Sequence, residues 1–488
     1  MKTNIYIYTK ITFLFGVLLL TTSCERELSE DSKLATFSSN ANVFIDGFSG
    51  GLEYYPYADS KQEAFSVDTE VKYLGASSMR FDVPNVGDPN GAYAGAIFRD
   101  DNGGRDLSGY DALTFWAKAT KAATINDIGF GQDFGANKFQ VSKQGLVLTT
   151  NWVKYIIPIP DASKLTQEQG MLWYAEGPED GAGYTFWIDE LKYEKLGTIA
   201  QPRPAILNGA NETQRTFKGG KITLTGLTQT FNLANGLNQT ISVAPSYYDF
   251  IVSDLEGNID NKVATVDQFG VVNVVGSGSK DPNTGIRTNN FAVVTASLNG
   301  VETSGSITLE SLGDFTPAPT PTRDASAVIS IFSDAYTSVA VDHFNGYWGG
   351  STTQGQDDIE INGNKVINYT ALNYVGTEFF INVSTINASA MTHFHIDIQV
   401  QETISASAFL AIKLQDIGPD NNFNTSGDNS AGELRFRSPV LKEGEWVSLD
   451  IPLSSFPGLR NRANLAQLVY ITDGTIKNIL IDNIYFYK

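Results

Sequence analysis

The feature that most constrains this chain is the lack of any long helical pattern after its first thirty residues. No long segment places apolar residues at the i, i+3, i+4, i+7 spacing of an amphipathic helix. Short runs instead alternate apolar and polar residues, or are continuously β-branched and aromatic, and Gly, Asn and Asp interrupt them. We therefore predict an all-β protein.

Sequence landmarks recur in the same order in two parts of the chain. Residues 150–159 (TNWVKYIIPI) are echoed by 444–453 (GEWVSLDIPL), and 186–193 (FWIDELKY) are echoed by 479–486 (ILIDNIYF). A looser match relates 107–116 to 386–395. We predict two copies of one β-sandwich, over residues 41–197 and 325–488. Both copies fall within the usual size of a domain.

The segment between the copies has a different pattern. Residues 198–316 contain short strand-like runs separated by turn residues, which is typical of an immunoglobulin-like sandwich. The run VATVDQFGVVNVVGSG in this segment resembles the bacterial immunoglobulin-like repeats that act as spacers in surface proteins. Residues 317–324 begin with PAPTP and predict a stiff, extended linker.

The N-terminus has the pattern of an export signal. Lys2 and Lys10 precede the apolar run 11–20, and small residues lead to Cys24, which is the single cysteine of the chain. Residues 1–23 and Cys24 resemble a bacterial lipoprotein signal, with Leu20 one place earlier than the usual aliphatic position. The resemblance implies an acylated Cys24, which would anchor the protein to a membrane. The acidic tether 24–40 resembles the export signals of Bacteroidetes surface lipoproteins, so we expect an outer-membrane, cell-surface location.

Charge and composition exclude several kinds of function. The chain has 54 acidic and 34 basic residues, and its net charge of −20 opposes binding to nucleic acid. One cysteine excludes a disulfide framework, and three histidines leave few imidazoles for metal or proton-transfer chemistry. A catalytic pair of carboxylates needs no histidine and is not excluded by these counts.

The two outer copies share motifs that resemble a known class of module. Both contain Trp-Val-x-x-x-Ile-Pro, and both close on Ile-Asp followed by alternating apolar and aromatic residues. These motifs resemble carbohydrate-binding modules of the galactose-binding-like jelly-roll class, and the C-terminal copy is the closer match. The resemblance implies two jelly-roll sandwiches separated by an immunoglobulin-like one. With the lipoprotein signal, it also implies a surface glycan-binding lipoprotein of a Bacteroidetes polysaccharide-utilisation locus.

Exposed aromatic side chains beside polar groups are the expected means of binding a sugar. In the first copy a Tyr-rich stretch and a Trp-Tyr pair lie near loop sequences, although neighbouring tyrosines on a strand would place one ring inward. In the last copy Trp348 lies among glycines and polar residues, and several other candidates lie on strands that we expect to face the concave sheet. The predicted ligand-binding residues are Tyr54, Tyr55, Tyr57, Trp173, Tyr174, Tyr347, Trp348, Tyr374, Arg435 and Arg437, with Asn373, Lys413 and Gln415 on the same face.

Other tryptophans are expected to be core residues. Trp152 and Trp446 open apolar strands at equivalent places in the two copies, and Trp116 and Trp187 lie inside apolar runs. We expect their replacement to unfold a domain rather than to remove a ligand contact.

Each copy contains a pair of aspartates that are candidate ligands of a structural calcium ion. Asp46 and Asp189 lie on the first and last strands of the first copy, as Asp334 and Asp482 do in the last copy. First and last strands are neighbours in such a sandwich, so each pair could supply oxygen ligands to calcium. The alternative is that the carboxylates are solvated or hydrogen-bonded without an ion.

We predict that the protein captures a neutral polysaccharide without cleaving it, and the family resemblance favours a β-1,3-glucan such as laminarin. The predicted partners are a TonB-dependent importer and its companion lipoprotein. One alternative is a glycoside hydrolase or lyase acting on a β-glucan, although no strand dense in Glu is present. Another is an adhesin that recognises protein.

Overall fold

A computed structural model describes residues 36–234, 236–280, 287–346, 348–357, 359–361, 363–423 and 427–488. Strands dominate, and the helical segments are three-residue 3-10 turns at Ala162–Lys164, Leu207–Gly209, Pro245–Tyr247, Ala325–Ala327 and Leu453–Ser455. The all-β prediction is confirmed. No helix within these ranges has the length and apolar character of a membrane span. The signal segment and Cys24 lie outside the described residues.

The first sandwich consists of two facing sheets. Its strands are β1 (Asn42–Phe44), β2 (Leu52–Pro56), β3 (Phe65–Asp68), β4 (Ser78–Val83), β5 (Ala94–Asp100), β6 (Ala112–Ala119), β7 (Ala123–Phe130), β8 (Val141–Leu148), β9 (Val153–Pro158), β10 (Gly170–Glu176) and β11 (Tyr184–Glu194). The back sheet has the order β3-β4-β11-β6-β9, with β1 also paired to β11. The front sheet contains β8-β7-β10-β5-β2.

The middle segment continues the front sheet of the first sandwich. Its strands are β12 (Ala200–Ala205), β13 (Asn211–Lys218), β14 (Lys221–Thr223), β15 (Thr228–Asn232), β16 (Asn238–Val243), β17 (Asp249–Ser253), β18 (Ala264–Val266), β19 (Val271–Val274), β20 (Ser279–Lys280), β21 (Arg287–Thr288), β22 (Phe291–Leu298), β23 (Val301–Glu302) and β24 (Ser306–Asp314). Strand β16 pairs with β8 at Ser142 and Val141, so β12, β15 and β16 extend that sheet. One buried apolar cluster runs through both parts. The domain boundary that the sequence places at residue 197 remains a prediction.

The third sandwich repeats the arrangement of the first. Its strands are β25 (Val328–Phe332), β26 (Ile359–Ile361), β27 (Asn364–Tyr369), β28 (Tyr374–Glu378), β29 (His393–Val400), β30 (Leu410–Asp416), β31 (Ser430–Phe436), β32 (Trp446–Pro452), β33 (Leu465–Thr472) and β34 (Ile479–Tyr487). The back sheet has the order β26-β27-β34-β29-β32 with β25 on β34, and the front sheet has the order β28-β33-β30-β31. The two jelly-roll copies therefore share one strand order in their back sheets.

Residues 316–323 lie on the outer face of the third sandwich's back sheet. Trp446 Nε1 donates to the carbonyl of Thr316 (2.6 Å), and Asn483 Nδ2 donates to the carbonyl of Pro319 (3.0 Å). The guanidinium of Arg323 lies 4.0 Å from the ring centre of Tyr487. The Pro-rich linker is therefore fastened to the third sandwich by hydrogen bonds and a cation–π contact.

Candidate functional site

The third sandwich presents polar and aromatic side chains on the outer face of its front sheet. Along β28, Val375 points into the core and the core continues at Phe379. Because side chains alternate along a strand, Tyr374, Gly376 and Glu378 point to the opposite, outer face.

Trp348 lies against this outer face, directly over Gly376. A methyl group at Gly376 would collide with the six-membered ring of the Trp348 indole, so the glycine makes room for the ring. The Tyr374 ring centre lies 6.4 Å from that of Trp348, with the planes inclined by 37°. The Tyr374 hydroxyl donates to the carbonyl of Gly349. The two half-buried rings form an aromatic surface fixed to the sheet.

Hydrogen-bonding side chains lie beside the aromatic rings. The strand register places Gln467 between Glu378 and Gln415. Lys413 is two residues before Gln415 on the same strand and lies nearer Tyr374. Gln467 donates to one oxygen of Glu378, and His343 Nε2 lies 2.8 Å from the other. The face therefore combines flat rings with amides, a carboxylate and an ammonium group, which is the chemistry that sugar hydroxyls and C–H faces require.

Arg435 and Arg437 lie at the far edge of the same sheet, on and just beyond β31. Their guanidinium groups lie 4.6 and 5.1 Å from the ring centre of Phe409. Arg435 Nε also donates to Glu433 Oε1 at 2.8 Å. Phe409 was missed by sequence reasoning because it precedes its strand within a polar stretch. Both arginines belong to the same face as Lys413, at its opposite end from Trp348.

Asn373 holds the loop that carries Trp348. Its Oδ1 accepts from the amide of Thr352 (2.8 Å), and its Nδ2 donates to the carbonyl of Gly350 (3.0 Å). Asn373 therefore positions the aromatic loop rather than pointing freely to solvent. Tyr347, also predicted as a ligand-binding residue, lies outside the described residues.

The front sheet of the first sandwich carries a different set of side chains on its outer face. Tyr55 lies on this face, and its ring meets Phe134 edge-on at 4.7 Å. Tyr57 donates its hydroxyl to Gln132 Oε1, and Arg99 lies 5.3 Å from the Phe134 ring centre. Phe134 is 62% exposed, so it is a candidate contact that the sequence analysis missed. It lies in the loop between β7 and β8.

The rings of three aromatic residues predicted to bind a sugar in the first sandwich are packed against other parts of the protein. Tyr54 packs inward against Phe65 and Phe98, with ring centres 5.2 and 5.3 Å away. Trp173 and Tyr174 lie on the central strand β10 rather than in a loop, and they are 6% and 0% exposed. The prediction that these residues stack on a sugar is wrong because the strand register places them beneath other side chains or in the core.

The expectation that four tryptophans are core residues is also wrong in part. Trp116, Trp152 and Trp446 are half-buried and lie outside the main cores. Trp187 is buried, but it lies on the outer face of the back sheet, where its Nε1 donates to Asp68 Oδ2 (2.9 Å). Trp116 has the same outward orientation because its neighbours Phe115 and Ala117 point into the core.

The first aspartate pair does not fit a calcium site. Asp189 is fully buried and accepts from the amides of Tyr73 (2.7 Å) and Leu74 (3.1 Å). Asp46 accepts from the amides of Ala76 and Ser77 in the same loop. Both carboxylates are therefore used as backbone acceptors. Within the ranges that the structure describes, no cluster of three or more His, Cys, Asp or Glu side chains could hold a metal ion.

Within the described part of the chain, the second aspartate pair, Asp334 and Asp482, accepts fewer backbone hydrogen bonds than the first pair does. Asp482 is 1% exposed and accepts from the amide of Asn483 (2.6 Å). Burial raises the pKa of Asp482 to about 7, with Asp334 and Asp397 adding repulsion. The Oδ1 atom of Asn364 is buried without a hydrogen-bond partner in the same region. These oxygens fit a hard cation better than the first pair does.

Two buried glutamates of the first sandwich have strongly shifted acidities. Burial raises the pKa of both Glu168 and Glu176 to about 7. Glu176 accepts from the amide of Asn126 (2.6 Å) and from the hydroxyl of Tyr184 (2.9 Å). Glu168 accepts from the amide of Gly170 (2.8 Å). Both carboxyl groups are enclosed by protein rather than presented to a substrate.

Carbohydrate-binding modules are among the known proteins to which this chain is similar. No curated protein matches the chain. Among solved structures, the family 30 module of a Clostridium thermocellum cellulosomal cellulase is 20% identical, with 33% of this chain and 95% of that chain covered and a TM-score of 0.22. A family 11 module from the same organism, in complex with a β-1,3-1,4-mixed-linked tetrasaccharide, is 15% identical, with coverage of 33% and 95% and a TM-score of 0.23.

A tandem of family 22 modules from Paenibacillus barcinonensis is 10% identical, with 93% of this chain and 99% of that chain covered and a TM-score of 0.22. The family model described as Carbohydrate binding domain 30 matches residues 34–195. This match spans the whole first sandwich, β1 to β11. The first sandwich is therefore similar to carbohydrate binding domain 30.

Proposed function

We propose that this protein binds a neutral polysaccharide on the outer faces of its two front sheets and does not cleave it. The observation that carries this proposal is the match of residues 34–195 to carbohydrate binding domain 30. The third sandwich, which repeats the same strand order, supplies the second binding face.

The third sandwich has the more complete binding surface. A pyranose ring placed on Trp348 and Tyr374 would meet Lys413, Gln415 and Glu378 with its hydroxyl groups. Burial of the sugar's apolar C–H face against the rings contributes about 25 cal/mol for each Å² removed from water. A single face of this kind binds weakly because a flexible sugar chain must be ordered. Two faces on one protein raise the apparent affinity when one glycan reaches both.

The positions of two carboxyl groups with raised pKa values support a role without cleavage. A glycoside hydrolase needs a protonated carboxyl group in contact with the glycosidic oxygen and a second carboxylate across the bond. Glu168 and Glu176 have raised pKa values, but both are buried and hydrogen-bonded within the first sandwich. This placement supports a binding role.

The ligand that we propose is a neutral β-glucan, with the β-1,3-glucan laminarin as the first choice. A net charge of −20 would repel sulphated or uronate-rich glycans. The choice among neutral glucans rests on the family resemblance of the two sandwiches.

We also propose a place for the protein in the cell. Acylation of Cys24 would anchor it in the outer membrane, with the sandwiches outside the cell. Captured glycan would then pass to a TonB-dependent importer and its companion lipoprotein. A bound calcium ion, held by Asp334, Asp482 and Asn364, would stabilise the third sandwich.

Affinity electrophoresis of the full chain tests the binding function. We expect retardation in gels that contain laminarin, and loss of most of it in a Trp348→Ala, Tyr55→Ala double variant with an unchanged circular dichroism spectrum. Equal retardation of the parent and this variant would contradict the proposed faces. Release of reducing ends from laminarin would contradict the non-catalytic role.

A further inference from the structure

An aromatic cluster on the back sheet of the first sandwich takes no part in the proposed front-sheet sites. Trp116 points outward from β6, and the ring of Tyr73 stacks on it with centres 3.9 Å apart and planes inclined by 12°. Trp152 meets Tyr73 edge-on at 6.0 Å. Tyr73 is 39% exposed, so one face of its ring contacts Trp116 while the other is accessible.

The exposed ring is held in place before any ligand arrives. Tyr73 belongs to the loop that connects β3 to β4, and its amide donates to the buried carboxylate of Asp189. The amide of Leu74 donates to the same oxygen, and the amides of Ala76 and Ser77 donate to Asp46. A ring fixed by its own loop loses little conformational freedom on binding, which favours a stacked ligand.

The charges around the cluster favour a neutral ligand. Lys154 is the cross-strand neighbour of Trp116, and its Nζ pairs with Glu194 at 2.6 Å. Lys192 pairs with Glu190 at 3.3 Å on the adjacent strand. These ion pairs offer donors and acceptors to hydroxyl groups but give no excess of one sign.

The equivalent face of the third sandwich shows that an extended chain fits there. In that copy the chain's own residues 316–323 lie across the sheet, and Arg323 lies over the ring of Tyr487. Within the described residues of the first sandwich, no segment crosses the face above Tyr73 in this way.

We propose that Tyr73, Trp116 and Trp152 form a second glycan contact on the first sandwich, on the sheet opposite its front face. This inference rests on the proposed function. The occupant is a neutral β-linked glucan, one pyranose ring of which stacks on Tyr73 while its hydroxyls meet Lys154 and Glu194. A peptide segment is the competing occupant. The ion pairs beside the rings offer donors and acceptors to sugar hydroxyl groups, which favours the glycan.

The test uses full-length protein in gels that contain laminarin or a mixed-linkage β-1,3-1,4-glucan. A front-deficient variant (Tyr55→Ala, Tyr57→Ala, Trp348→Ala) isolates the back-sheet contact. We expect this variant to retain weak retardation, and addition of Tyr73→Ala or Trp152→Ala to weaken the residual binding by about fivefold. Tyr73→Phe should keep it, because the stacking face is unchanged.

Leu74→Ala is the matched control, since Leu74 is adjacent in the same loop and 58% exposed but has no ring. The proposal is overturned if Tyr73→Ala and Trp152→Ala, both folded by circular dichroism, have no larger effect than Leu74→Ala. It is also overturned if the front-deficient variant binds nothing while the parent binds. A parent protein that binds neither glucan would instead reject the proposed function itself.

Discussion

The first and third sandwiches have equivalent aspartates in the middle of their last back-sheet strand, but these aspartates have different surroundings. In the first sandwich the connection from β3 to β4 spans residues 69–77, and its amides donate to Asp189. In the third, β26 ends at Ile361 and β27 begins at Asn364, and within the described residues the backbone amide that donates to Asp482 is that of the adjacent Asn483. Burial leaves Asp482 with a pKa raised to about 7. The loop of the first sandwich therefore gives Asp189 two further amide donors, whereas the environment of Asp482 favours a proton or a cation.

The two sandwiches also anchor the chain that enters them in different ways. In the first, the buried guanidinium of Arg105 donates to the carbonyls of Asn40 (3.1 Å) and Asn42 (2.6 Å). In the third, the entering segment lies on the surface of the back sheet, with Arg323 on Tyr487. Anchoring through a buried charge is the less tolerant of substitution, because loss of one partner leaves the other charge buried and unpaired.

The largest expected effect is that of Arg105→Met. This change leaves Asp100, which lies 2.6 Å from Arg105 Nε and is 3% exposed, as an uncompensated buried charge. We expect the free energy of unfolding of the first sandwich to fall by about 3–5 kcal/mol. Urea denaturation measures this. Arg323→Ala is the control and should cost less than about 1 kcal/mol, since its contact is a surface cation–π pair. Equal effects would contradict the contrast between the two anchors.

The next effect is a pH dependence that Glu176 gives to the first sandwich. Burial raises the pKa of Glu176 to about 7, above its ordinary value, so the folded state binds this proton more tightly than the unfolded state. The contribution to stability is therefore fully present below the ordinary pKa and is lost as the pH rises through about 7. We expect Glu176→Gln to remove roughly 2–3 kcal/mol of the stability change between about pH 8 and about pH 5.

Denaturant unfolding at the two pH values measures this difference. The equivalent strand of the third sandwich ends in the neutral Thr472, so no matching change is expected there. Glu53→Gln, at an exposed position of β2, is the control. If Glu176→Gln has the same pH dependence as the parent, Glu176 does not titrate as its burial implies.

Substitution of the two equivalent aspartates should have unequal effects in the presence of a chelator. Asp189→Asn removes a carboxylate that accepts several backbone amides, and we expect a loss of about 1–3 kcal/mol. Asp482→Asn removes a buried charge that has fewer amide donors and a raised pKa, so the free energy of unfolding should be unchanged or raised. Thermal melts of both variants measure this, and a larger loss for Asp482→Asn would reverse the comparison.

Addition of calcium extends the same experiment. We expect calcium to raise the melting temperature of the parent, because a ligand that binds the folded state alone stabilises it. The increase should be absent in Asp482→Asn and present in Asp189→Asn. A parent whose melting temperature is the same with calcium and with chelator would contradict the calcium proposal.

The smallest expected effect compares two glycines on the front sheets. Gly376→Ala would displace the ring of Trp348, whereas Gly129→Ala would collide with the backbone carbonyl of Val141. We expect Gly376→Ala to weaken laminarin binding about tenfold, or about 1.4 kcal/mol, with little change in stability. Gly129→Ala should instead lower the melting temperature. Calorimetric titration and thermal melts separate these outcomes, and unchanged binding by Gly376→Ala would argue against Trp348 as a contact.

Local sequence was sufficient to predict the strands but not the side that every aromatic residue faces. Trp173 and Trp116 both lie in apolar runs, yet one is covered on the front sheet and the other is stacked under Tyr73 on the back sheet. A shift of one residue in the in–out alternation of a strand moves its side chains to the opposite face of the sheet. A bulge in β10 near Gly170 makes such a shift. The phase is set by pairing with distant strands, which the sequence pattern does not reveal.

The sequence by itself determined the all-β class and the repeated sandwich, because alternation and turn residues act over a few neighbouring positions. Tertiary structure alone decided that β16 would join the front sheet of the first sandwich, that Asp189 would bind loop amides while Asp482 would not, and that Trp348 would lie on Gly376. Each of these depends on contacts between residues far apart in the chain. Their energies are set by burial and hydrogen-bond partners that only the folded chain brings together.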